Sequence, residues 1–409
     1  MPSRTPDVVT PPPGNPRFPL LDPLRAIAAL AIVVTHTAEL GGFNREHWLG
    51  AWTVRLDSGV AIFFALSAFL LYRPFVSARL DGRDSPRVRR YARRRALRIL
   101  PAYWVAVILL GIIDAEHTPG VCGEHWWVYF GLLQSWSAET IIGGVGVAWS
   151  LSVEMAFYIL LPLYAWAMAR LVRGRDRDGQ ARLELALLAA SAVVAVVVRG
   201  LMHELRPASA FGNQLPGTWT WFVGGLTLAV ASAWLRPREL AARPRAARFA
   251  TEHALGCWGI AFALLTVSAW WAGLGREPFA PIPTLNLQLQ HVLYAGTAFF
   301  LVAPMVFHDG RRSVPVTLLA TPVLGWLGLV SYGIFLYHQP LVFAFLNTRL
   351  WPPVAGWVLY TALVILGTTA IAACSYYLIE RPVLRYKEPR RGGTSSRSRA
   401  HAVAAKSES

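Results

Sequence analysis

The sequence predicts an all-α polytopic membrane protein, a bundle of ten transmembrane helices with both termini cytoplasmic. Three observations carry that prediction. The 409 residues are 55% hydrophobic and only 15% charged, against about 25% charged in an ordinary soluble domain. Ten apolar runs reach the roughly 17–25 residues that a membrane helix needs. The basic residues, 39 Lys+Arg against 23 Asp+Glu for a net charge of +16, collect on one side of the resulting topology. A basic, apolar chain is also what a nucleic-acid binder with a large core would look like. Such a binder would not carry ten membrane-length runs, so no nucleic-acid partner is expected. Three cysteines, Cys122, Cys257 and Cys374, give neither a disulfide framework nor a CxxC metal motif.

In chain order, residues 1–19 are Pro-rich and polar and read as a disordered cytoplasmic lead without a cleavable signal. The spans then run Leu21–Leu40, Ser58–Ser77, Ala96–Ile113, Val147–Ala169, Leu183–Met202, Thr218–Leu235, Ala254–Leu274, Gln290–Phe307, Pro322–Leu346 and Val354–Leu378. An eleventh run, His125–Ser135, is too short to cross and reads as re-entrant or interfacial. With the N-terminus inside, only Arg45, Arg55, Arg199, Arg206, Arg276 and Arg349 fall outside, and the other 33 basic residues fall inside. Letting the eleventh run cross would turn two basic loops outward, so the charge distribution argues that it does not. Residues 20–385 form one membrane domain, and residues 386–409 a disordered basic cytoplasmic tail.

Titratable groups at membrane depth are costly and mark functional positions. Five stand out: Arg25, His36, Glu154, His291 and His338. Arg25 and His36 are eleven residues apart on the first span. At 100° per residue they share a face, separated by about 16 Å along the axis. Glu154 sits about seven residues into a span that runs inward, and His338 lies deep in one that runs outward. Both are expected near the depth of His36. A carboxylate there would fix the tautomer of a general-base histidine and stabilise its imidazolium. The bland readings are a snorkelling arginine and interhelical hydrogen bonds. The run Arg87–Arg98 enters the third span with more charge than orientation requires. Its arginines suit phosphates, or equally an anionic-lipid anchor.

These residues fall in a familiar order. Leu21-Asp-Pro-Leu-Arg25 followed by His36, Gly59-Val-Ala-Ile-Phe-Phe-Ala-Leu-Ser67, Arg94-Arg95-Ala-Leu-Arg98-Ile-Leu-Pro101, Trp149-Ser-Leu-Ser152-Val-Glu154, Ser331-Tyr332 through His338 to Pro340, and Glu380-Arg381-Pro382 together resemble acyltransferase family 3 of integral membrane proteins. The resemblance covers about Pro19 to Arg385. It departs from the family pattern at Pro23, Ala61 and Ala68, where Gly, Asp and Gly are usual, and none of these touches Arg25, His36 or Glu154.

The resemblance implies a ten-helix bundle in the inner or plasma membrane. It implies transfer of an acyl group, often acetyl, from cytoplasmic acyl-CoA to a hydroxyl of a sugar, polysaccharide or glycosylated metabolite. His36 would be the catalytic residue and Arg25 its essential partner; the depth expected for Glu154, apart from the resemblance, makes it the acid that would stabilise the imidazolium. Arg93, Arg95 and Arg98 would hold the phosphates of acyl-CoA, a donor substrate rather than a permanently bound cofactor. No metal is expected. The competing reading from the same intramembrane charges is a transporter or flippase of an acylated or glycosylated molecule.

Overall fold

A computed structural model describes residues 18–113, 120–207, 209–271, 275–276, 282–346 and 356–387. Every regular element among them is helical. The long helices are α1 (Leu21–Leu40), α2 (Gly59–Leu80), α3 (Val88–Ile113), α4 (Trp149–Leu171), α5 (Arg177–Leu205), α6 (Leu215–Leu235), α7 (Ala254–Trp270), α8 (Thr284–Val306), α9 (Pro322–Leu346) and α10 (Trp357–Ser375). Nine spans among the described residues are long and apolar enough to cross a membrane. A tenth joins them when α7 is taken with Arg245–Glu252, from which it turns by 99°. The protein is a multi-pass membrane protein.

The boundaries move for physical reasons. The third helix starts at Val88 rather than at the first apolar residues, because arginine is a good helix former and carries the helix past the apolar layer. The fifth is longer still, and the Asp176 side chain caps its N-terminus by accepting from the Gly179 amide at 3.0 Å. The predicted lead and tail lie outside the described residues except at their inner ends. There Phe18 packs edge-on against Phe69 and under the Arg73 guanidinium, so the bundle begins slightly before the predicted boundary.

The core is built by α1, α2, α6 and α9, with α2 packed along α6, α1 along α9, and α10 closing against α9. Membrane helices have no water-driven attraction to one another and rely on close packing of small residues. At the α2–α6 crossing a Cβ on Gly225 would fall on the Ala65 carbonyl, and at the α1–α9 crossing one on Gly328 would fall on that of Asp22. The outer layer presents Val193, Val197 and Leu201 of α5 and Leu359 and Leu366 of α10, the surface that lipid would cover.

The short run after α3 does not cross. It forms a five-residue helix, Trp126–Phe130, and a 3₁₀ turn, Gln134–Trp136. The Tyr103 hydroxyl donates to the Tyr129 carbonyl at 2.6 Å, and the Trp104 indole to that of Phe130 at 3.0 Å. Tyr103 lies ten residues before the end of α3, about 15 Å back along the axis. The segment therefore dips into the bundle. Its far end is pinned by the Val147 amide on Gln339 Oε1, at 3.1 Å, and by Ser135 on Ser152, at 2.7 Å. Helix α4 starts inside the protein, not at its surface.

The basic end of the bundle is clamped by Asp81, which gathers Arg83 at 2.8 Å, Arg177 at 3.2 Å and Arg236 at 3.8 Å from three different segments. These partners, Arg83 foremost, hold the Asp81 carboxyl below the usual carboxylate range. A lowered carboxylate adds stability above its unfolded value near 4 and loses it as pH falls through the folded value. Asp81→Asn should lower the melting temperature of the purified protein at pH 7 by about 1–3 °C. Melting curves of both forms should converge below pH 3.

Candidate active site

Two polar centres lie along α1. The first surrounds Arg25 and Glu154. Both line a small cavity, about 30 Å³, together with Ser150, Tyr332 and a wall of Val60, Phe63, Phe64, Leu151 and Phe335. The hydroxyls of Ser67 and Tyr158 donate to the same Glu154 oxygen, the latter at 2.5 Å. Arg25 is a quarter exposed and lies 3.9 Å from Asp22, one turn earlier on α1. The Tyr332 hydroxyl is fixed on the Ile99 carbonyl at 2.9 Å.

The second centre is His36. Its ring packs against that of His338, centroids 5.2 Å apart and tilted by 39°. Its Nδ1 faces Glu39 Oε2 at 3.7 Å, one turn further along α1. Phe335 separates the two centres, with its ring 5.9 Å from Phe63 and 6.0 Å from His338.

The sequence expected Glu154 near the depth of His36, as the acid that stabilises its imidazolium. The structure instead puts Glu154 in the cavity with Arg25. The depth estimate assumed that α4 starts at the outer surface, whereas the re-entrant segment starts it inside. The carboxylate that does face His36 is Glu39, which the sequence reading did not single out. Its position three residues after His36 was the available signal. His338 does reach the depth of His36. His291 belongs elsewhere: buried on α8, it stacks on Trp221 at 4.7 Å.

The basic run divides. Arg98 turns inward to Glu380 at 3.1 Å and to the face of Tyr332, and it lies within electrostatic reach of Arg25. Arg95 is half-buried and acts electrostatically on Tyr91 and Tyr158. Arg93 is exposed on another side. Five residues separate it from Arg98, which turns it about 140° away, so the expected trio does not converge. Arg98 reaches Arg25, and Arg95 reaches Tyr158 beside Glu154. Glu380 comes from a π-helical turn, Tyr376–Glu380, at the end of α10, which accounts structurally for the Glu380-Arg381-Pro382 segment.

Residues 19–377 match the family model described as an acyltransferase domain, Acyl_transf_3. The chain belongs to acyltransferase family 3. Its relatives within that family include an acyltransferase of Streptomyces mycarofaciens, 31% identical over 80% of this chain and 79% of that protein. A peptidoglycan O-acetyltransferase of Listeria monocytogenes is 23% identical over 89% of this chain and 55% of its own length. A Bacillus subtilis protein provisionally named for the same activity is 26% identical over 90% of this chain and again 55% of its own. The chain thus spans about half the length of the two peptidoglycan-named relatives. No solved structure matches it.

In this family member a third polar cluster lies beside the site. Glu184 is fully buried and accepts from Tyr72, Arg79 and Tyr164. It ties α5 to α2 and α4. The sequence hid it because Glu184 sits where the fifth apolar run begins.

The Arg98–Glu380 pair is buried, with side chains 18% and 2% exposed. Removing one partner of such a pair strands the other and costs about 3–5 kcal/mol. Arg98→Ala and Glu380→Ala should each destabilise the protein by that order. The double variant should lose clearly less than the two effects added, as read by thermal unfolding of the three proteins.

Proposed function

We propose that this protein is a membrane O-acyltransferase that moves a short acyl group from acyl-CoA on the cytoplasmic side to a hydroxyl of a carbohydrate or glycosylated metabolite. The observation that carries the reading is the first helix. It bears Arg25 and His36 on one face, with the cavity and its aromatic wall along the same path.

In this reading the phosphates of the donor sit at the basic end, on Arg95 and the exposed edge of Arg25, while Arg98 is held by its ion pair with Glu380. The pantetheine arm follows α1 outward, past Phe335, and brings the thioester to His36. Glu39, 3.7 Å from His36 Nδ1, favours the proton on that nitrogen, which leaves the Nε2 lone pair to act as the base. His36 takes the hydroxyl proton as the oxygen attacks the thioester carbonyl. The C–S bond breaks, the ester forms, and His36 returns the proton to the leaving thiolate as CoA thiol. Glu39 stabilises the imidazolium between those steps. Glu154, with Ser67 and Tyr158, shapes the path of the donor rather than the base.

The names of the relatives support an acetyl donor and a glycan acceptor. The Streptomyces relative, matched over most of its length, keeps other hydroxylated acceptors within the same chemistry.

His36→Ala, expressed and inserted at wild-type level, should reduce release of CoA thiol from acetyl-CoA, in membranes supplied with acceptor glycan, by about 10²–10⁴-fold. Undiminished release would overturn the assignment, and a transporter would release none in either form. Arg95→Ala should raise KM for acetyl-CoA about tenfold with little change in kcat, the signature of lost ground-state binding. Arg95 is the cleaner probe than Arg98, whose removal also breaks the buried ion pair.

A further inference from the structure

Past His36 and Glu39, α1 leads into the connection 41–58, at the opposite end of the helix from Arg25. An acceptor that meets the donor at His36 approaches from this end. Five side chains here close into a ring. The Trp48 indole stands edge-on to that of Trp52, centroids 5.8 Å apart and planes at 79°. Trp52 in turn stands edge-on to Trp270 of α7, at 5.4 Å and 74°. The Arg276 guanidinium lies over the Trp270 ring at 5.4 Å and donates to the His47 carbonyl at 3.1 Å. The His47 ring returns to Trp48 at 5.9 Å.

This ring is held from inside and open on the outside. Trp52 donates its indole N–H to Thr266 Oγ1 at 3.2 Å. Asn44 and Arg55 donate to the carbonyls of Arg276 and Gly275, at 2.7 Å and 2.9 Å, and fix the far side. Thr35 donates to the Thr53 carbonyl at 2.9 Å, so the residue before His36 is bonded to the residue after Trp52. Trp48 and Trp270 are nevertheless 60% and 48% exposed. Single tryptophans at a membrane surface sit at headgroup level, with the polar edge of the indole toward water. Here the central indole turns its N–H into the protein, and the two exposed rings are braced against it.

We propose that this ring of side chains is the seat of the acceptor, where a pyranose unit packs its C–H face against Trp48 and Trp270 and offers its hydroxyls to Arg276. The inference rests on the acyl-transfer reading and supplies its acceptor side. A pyranose is apolar on its faces and hydroxylated around its rim. The face of an indole carries the negative part of its quadrupole and attracts the C–H bonds of a sugar face. The guanidinium offers several N–H donors in a fixed fork to the rim. Rings already braced lose little freedom when a ligand settles on them. The bond from Thr35 to Thr53 fixes the seat to the stretch of α1 that bears His36.

The full chain in lipid nanodiscs is titrated with a β-linked N-acetylglucosamine tetramer, and binding is read by saturation-transfer NMR on the ring protons of the sugar. Thiol release from acetyl-CoA is measured in the same preparation across tetramer concentrations. Trp48→Ala and Trp270→Ala should each weaken binding and raise KM for the tetramer about tenfold, with unchanged KM for acetyl-CoA and unchanged kcat at saturating tetramer. Trp48→Tyr, which keeps a flat ring, should retain most of the wild-type affinity.

If the exposed rings only anchor the chain in lipid, both alanine variants bind and acylate the tetramer as the wild type does, with a lowered melting temperature. That result overturns the proposal and leaves the acyl-transfer reading intact. A matching rise in KM for acetyl-CoA also overturns it, since the whole site would then be distorted. So does a wild-type chain that gives no saturation transfer to the tetramer. Saturation transfer that Trp48→Ala abolishes, without thiol release in the wild type, overturns the acyl-transfer reading and leaves the sugar seat standing.

Discussion

The docking of residues 120–148 onto α3 and α9 sets the geometry of everything near the site. A non-helical backbone at membrane depth survives only where its amides and carbonyls find partners inside the protein. Here Tyr103, Trp104 and Gln339 supply those partners from two helices. With that segment held, α4 starts at the level of Gln339 rather than at the outer surface. Glu154 is thereby lowered to Ser67, Tyr158 and the cavity of Arg25, away from His36. One hydrogen-bonded loop decides which histidine partner is available and which carboxylate is left to line the path.

The helices were largely legible because the apolar runs are long and the arginines mark their ends. The shared face of Arg25 and His36 was legible too, since both lie on one continuous helix where angular position follows from counting. What could not be read was any relation that depends on where a helix begins in depth. Glu154 was misplaced for that reason. Arg93 was grouped with Arg95 and Arg98 by charge alone, although helical rotation separates it. Glu39 went unnoticed because a carboxylate at the last turn of a span looks like an ordinary boundary residue. Its significance comes from His36 one turn earlier and from the closed environment that the other helices build around the pair.

The intramembrane charges divide into two kinds. Arg79 with Glu184 and Arg98 with Glu380 are buried pairs joining distant segments. Such pairs add modest net stability, but leaving either member alone is severe, so they specify which helices must meet. Arg25 and Glu154 line a cavity, and Arg25 and His36 have only longer contacts, 3.9 Å to Asp22 and 3.7 Å to Glu39. That contrast separates the groups that hold the bundle from those free to meet a substrate, and it agrees with the family to which the chain belongs.

The Arg98–Glu380 pair also has a meaning in time. The two residues are 282 positions apart, and the acid arrives only with the final turn of the last helix. A ribosome inserting this chain delivers Arg98 long before its counter-ion exists. Until then the guanidinium must find lipid headgroups or water at the membrane edge, while α3 is held beside α9 by Tyr332 on the Ile99 carbonyl and Tyr337 on that of Ala102. The basic end of the bundle therefore lacks this ion pair until synthesis of the bundle is complete. A chain interrupted before residue 380 would leave Arg98 in the membrane without its counter-ion, a natural target for quality control.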